Sequence, residues 1–116
     1  MARWRRHFAG LGFFGPLWVT ETGYPADPAY QTDPGYRNGA ASQAKWMSRV
    51  IPAMLGGGAA MVFVTERDSL TGRFASEGIL QSADPLTADP QYQLRPSFYA
   101  VRALARRLTH QRRQKR

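Results

Sequence analysis

Pro16-Leu17-Trp18-Val19-Thr20-Glu21-Thr22-Gly23 and Ala59-Ala60-Met61-Val62-Phe63-Val64-Thr65-Glu66 are the two stretches on which the fold turns. Each is a short apolar run rich in β-forming residues, and each ends in Val-Thr-Glu, 45 residues apart. Neither run alternates polar with apolar side chains. Each therefore reads as a strand covered on both faces, which is the pattern of a parallel sheet. Strands are expected at 17–21 and 59–65, adjacent and pointing the same way.

Between them, Ala41 to Leu55 reads as a helix, with Ala44, Met47, Ile51, Met54 and Leu55 on one face at spacings of three or four. Pro52 falls inside that pattern and should kink or shorten it. Gly56-Gly57-Gly58 should end it through a left-handed residue. Residues 22–38 carry three Pro and two Asp-Pro pairs and read as loop. Upstream, residues 2–9 read as the last turns of a helix closed by Gly10 and Gly12. Downstream, residues 66–95 read as a second long loop, and a helix begins near Pro96-Ser97. Phe98, Val101, Ala105 and Leu108 form its expected buried stripe, and residues 109–116 read as a frayed basic tail.

The order is helix end, strand, helix, strand, helix. This is α/β: a βαβα unit with two parallel strands and flanking helices, the arrangement of a partial (β/α)8, or TIM, barrel. The loops after the strands run to about 17 and 30 residues, whereas the helix-to-strand turn is three glycines. In such barrels the long loops at the carboxyl ends of the strands build the active site. Two strands covered on both faces need sheet neighbours that these residues do not supply, so an edge and one flank of the sheet should be open. A poorly stable or self-associating chain is expected.

Composition narrows the chemistry. The 116 residues are the length of one small domain, and 43% are hydrophobic, as in a globular protein. There is no Cys, which excludes disulfides, a thiol nucleophile and thiolate metal sites. The two histidines, His7 and His110, stand at opposite ends, so no metal site and no cofactor is expected. The net charge of +8 is confined to the ends: Arg3, Arg5 and Arg6 at one, and seven Arg or Lys within 102–116 at the other. The 95 residues between hold six basic and eight acidic side chains. A nucleic-acid footprint spreads over a folded face, so the ends read as solvated and nucleic acid is not the expected partner. The rival reading is a basic module that docks on nucleic acid or an anionic surface through its Arg-rich last helix. The start, MARWRRH followed by FAGLGFFGPLWV, mimics an export signal, but Gly10, Gly12, Gly15 and Pro16 break it and no small-x-small cleavage site follows.

Glu21 is the strongest candidate for chemistry. It directly follows an apolar strand and precedes Thr22-Gly23, where the chain turns, so it sits at a strand's carboxyl end with its backbone held by the sheet. Position alone is equally compatible with a carboxylate that caps the loop or pairs with an Arg. Pro16 through Gly23 resembles the seventh-strand motif of retaining (β/α)8-barrel glycoside hydrolases, P-[LVI]-W-[VIL]-T-E-x-G. The resemblance continues through Gln43–Leu55 as a seventh helix, Gly57–Val64 as an eighth strand, Glu66-Arg67-Asp68 as the clan's x-R-D element, and Pro96–Ala100 as the start of an eighth helix. It implies that the chain corresponds to the C-terminal quarter of such a catalytic domain, that Glu21 is the catalytic nucleophile, and that O-glycosidic bonds of a carbohydrate are the substrate.

That chemistry needs a second carboxylate, about 5–5.5 Å away in retaining enzymes. The clan draws it from an Asn-Glu on the fourth strand. This chain has no Asn-Glu, its only Asn being Asn38, and two strands where the barrel has eight. The expectation is a fragment that is inert alone and completed by self-association or by a complementary barrel piece. Glu66 is a candidate substrate contact. It is also a candidate acid, but its neighbours Arg67 and Asp68 favour a local ion pair or a loop brace. Tyr24 is a candidate platform for a sugar ring, or else packs down its Pro-rich loop. Trp18 and Trp46 are assigned to packing. The sequence does not indicate a compartment.

Overall fold

The computed structural model of the chain describes residues 2–68, 75–82 and 92–114. Its elements, in order, are α1 (Ala2–Gly10), β1 (Leu17–Val19), a 3-10 turn (Pro28–Tyr30), α2 (Gly39–Gly56), β2 (Ala59–Val62), β3 (Leu80–Ser82), β4 (Tyr92–Leu94) and α3 (Pro96–Gln114). The class is α/β. β1 and β2 pair in parallel, with Trp18 opposite Met61 and Val19 opposite Val62, after a register shift at Leu17. The strands are shorter than expected, but pairing reaches past them: Phe63 N–H donates to Val19 O and Thr65 N–H to Thr22 O, both at 2.9 Å.

α2 is not shortened by Pro52: it continues to Gly56 with Pro52 at an exposed position, where the Pro nitrogen has no hydrogen to donate. Its stripe is the apolar core. Met47 is fully buried, and Ile51 and Ala59 are nearly so. α2 packs against both β2 and α3. The helix closes with Gly57 N–H on Ala53 O, and Gly58 is the left-handed residue at φ +100°.

Three expectations are corrected. Trp18 is not core: it is 57% exposed, and Met61 and Phe63 on the same face are 41% and 46% exposed. Among the described residues α2 packs on one face of the two-stranded sheet, and alternation puts Trp18 on the other. Residues 66–95 are not all loop. β3 and β4 pair antiparallel, Leu80 opposite Leu94, and Arg67 bridges to Leu80. The remainder of that loop, at 69–74 and 83–91, lies outside the described residues. Finally, α3 stays helical to Gln114, where a frayed tail from 109 was expected; residues 115–116 lie outside the described residues. Its inward stripe is Ser97, Phe98, Val101 and Leu104, whereas Ala105 and Leu108, expected in the buried stripe, are exposed and line an open cavity with Leu55, Ala59 and Ala60.

Candidate active site

Glu21 stands two residues beyond the end of β1 and is exposed. The backbone around it is held from β2: Thr65 Oγ donates to Thr22 O at 3.2 Å, alongside the Thr65 amide. Gly23 permits this closeness. A Cβ on Gly23 would stand 2.9 Å from Thr65 Oγ1 and 3.1 Å from Glu77 Oε2, so a side chain there would force those two neighbours to shift.

Glu66 shares the carboxyl rim with Glu21. The pairing is irregular there: Phe63 N–H reaches Val19 O and Thr65 N–H reaches Thr22 O, three residues along one segment against two along the other, and Glu21 lies in that irregularity. Glu66 is exposed, and its Oε2 lies 3.9 Å from Arg67 Nε. The repeated Val-Thr-Glu thus places two carboxylates on one rim.

Tyr24 turns inward. It is 7% exposed, its ring stacks on Trp46 with centroids 5.1 Å apart, and its hydroxyl donates to Tyr36 O at 3.2 Å. Burial, aided by the Asp33 carboxylate, raises the phenol above its ordinary pKa. The ring therefore packs the loop, and neither face lies open for a sugar to stack on. The loop is stitched further by Gln31, whose side-chain amide donates to Pro25 O and Gly39 O, both at 2.7 Å, and accepts from Gly39 N–H at 2.9 Å.

Below the rim lies a polar network that the sequence reading missed. Gln43 is fully buried, with Nε2 within 2.8–3.2 Å of four carbonyls: those of Tyr24, Ser76, Glu77 and Gly78. Its Oε1 accepts from Ser97 Oγ at 2.7 Å. Arg95 grips Asp68 with both guanidinium nitrogens, Nη1 to Oδ1 at 2.5 Å and Nη2 to Oδ2 at 2.8 Å, and also donates to Gly78 O. Asp68 in turn accepts from Gly78 N–H. One signal was present in the sequence: Gln43 lies four residues before Met47 and eight before Ile51, a polar residue on the apolar stripe.

No protein-family model matches this chain, and none of the curated proteins matches it significantly.

The arrangement is therefore read from its own chemistry. An exposed carboxylate projects from a rim braced by β2, and the two loops beside it are tied to α2 and α3 through Gln43, Asp68 and Arg95. Such a carboxylate can act as a nucleophile or accept hydrogen bonds from a polyhydroxylated ligand. Among the described residues no group of three or more His, Asp or Glu is arranged to hold a metal ion.

Proposed function

We propose that the chain is the closing quarter of a retaining (β/α)8-barrel glycoside hydrolase domain, seventh strand to eighth helix, and that Glu21 is its catalytic nucleophile. The carrying observation is the placement of Glu21. It is exposed just past a parallel strand, and α2 connects that strand to its neighbour. The bare inner flank formed by Trp18, Met61 and Phe63 supports the same reading, because the remaining strands of a barrel would cover it.

In the completed domain, the Glu21 carboxylate attacks the anomeric carbon and the leaving oxygen takes a proton from a second carboxylate. The same group then activates water to release the sugar. That second carboxylate comes from the barrel's other strands. Glu66 contributes a charged contact on the rim toward the carbohydrate. Tyr24 acts as a positioning residue, fixing the loop beside Glu21. The chemistry calls for no cofactor. The partner is the complementary barrel piece, and the substrate is a carbohydrate.

The test joins this chain to the other six strands of a retaining barrel. A 2-deoxy-2-fluoro aryl glycoside should then leave a covalent glycosyl adduct on Glu21, found by peptide mass, while the chain alone stays unlabelled. An adduct on another residue, or none in an assembled and active barrel, contradicts the assignment.

A second reading draws on α3, where Arg102, Arg106 and Arg107 are exposed on a helix that continues to Gln114. Those guanidiniums suit a polyanion. Steeply salt-dependent binding to DNA or RNA would favour this reading over the first.

A further inference from the structure

Trp18 and Met61 are register partners, and Phe63 follows Met61 by two residues, so the three share one face of the β1–β2 sheet. Val19 and Val62 lie on the opposite face and are half-buried. The bare face is bounded by rims of opposite charge. At the amino end, Arg5 lies against Gly58, just before β2, and Arg6 lines a cavity of about 270 Å³ with Leu17, the first residue of β1. At the carboxyl end stand Glu21 and Glu66, the latter shared with Arg67. No acidic residue precedes Glu21 in the sequence, so the amino rim on the β1 side is wholly basic.

We propose that this face docks on the same face of a second copy of the chain, about a twofold axis that sets the two sheets antiparallel. An isologous contact places Trp18, Met61 and Phe63 against their own counterparts. The antiparallel setting brings each basic amino rim onto the other copy's acidic carboxyl rim, whereas a parallel setting would stack like charge on like. A nucleic acid does not fit this face, because one rim is acidic. The dimer does not depend on the glycosidase reading, and a complementary barrel piece would compete for the same face.

Sedimentation equilibrium of the full chain from about 1 to about 200 µM tests it. The expected result is a closed monomer–dimer equilibrium ending at twice 13.0 kDa and weakened by added salt. Trp18→Lys should raise the dissociation constant at least about tenfold, and Tyr99→Lys, an exposed position on α3, should leave it unchanged. Amide exchange at 17–20 and 60–64 should slow as wild-type concentration rises, a readout independent of any variant's folding. A monomer at every concentration, open-ended growth, a dimer that Trp18→Lys leaves intact, or exchange at those amides that ignores concentration would each overturn the proposal.

Discussion

Ser97 donates a hydrogen bond to Gln43 across 54 residues of sequence, at 2.7 Å, and both side chains are fully buried. The bond fixes the start of α3 to α2, and the other end of the Gln43 amide holds the backbone of both long loops. Five apolar residues, Pro25 included, are buried among the described residues against seven polar or charged ones, so the loops at the rim are held by hydrogen bonds more than by hydrophobic burial. Partly satisfied networks are costly, which sets the first expectations.

Gln43→Ala leaves the carbonyls of Tyr24, Ser76, Glu77 and Gly78 without their shared donor. It should destabilise the chain by about 1–3 kcal/mol or more in urea unfolding. In a double-mutant cycle with Ser97→Ala, a coupling of about 0.5–3 kcal/mol is expected, as for residues in direct contact.

Arg95→Met strands the Asp68 carboxylate, since both side chains of the pair are 8% exposed. The expected loss is about 3–5 kcal/mol, and replacing both residues with apolar ones should recover much of it. The pair of unfolding curves distinguishes a stranded charge from a lost contact.

How much of this was legible in the sequence follows from element length and period. The runs at 17–20 and 59–65 and the stripe of Met47 and Ile51 were strong enough to give two parallel strands and their connecting helix. β3 and β4 were not, because three-residue strands such as Leu80–Ser82 and Tyr92–Leu94 carry no readable alternation. Apolar character reports what a strand is built to bury, and among the described residues no second layer lies over Trp18, which is why it is exposed. Arg95, Asp68 and Gly78 form their network only through tertiary folding, and their spacing in the sequence gives no hint of it. Position and motif singled out Glu21, whereas the inward turn of Tyr24 depended on Trp46 and Tyr36.

Gly23→Ala tests the close approach beside the candidate nucleophile. The added methyl meets Thr65 Oγ1 and Glu77 Oε2. A loss of about 1–3 kcal/mol is expected in urea or thermal unfolding, with Thr65 and Glu77 showing the largest amide chemical-shift changes. A neutral substitution would mean that the Thr65 and Glu77 side chains move aside without cost.

Tyr24 should make stability depend on alkaline pH. Its phenol is raised above the ordinary value of 10.0 chiefly by burial, so the folded state holds the proton more tightly than the unfolded one. The resulting stabilisation is fully present below pH 10.0 and is lost as pH climbs through the folded-state pKa. Unfolding curves at several alkaline pH values should fall more steeply for wild type than for Tyr24→Phe; identical slopes would count against a buried phenol.

The claim that Glu21 is a glycosidase nucleophile is tested most directly by the rate of aryl-glycoside hydrolysis in a barrel reconstituted from this chain and the complementary six strands. The wild-type assembly should hydrolyse the glycoside with retention of configuration. Glu21→Gln, which removes the attacking oxygen while keeping the shape, should fall to background in an assembly that still forms. Full activity in the Glu21→Gln barrel would contradict the account.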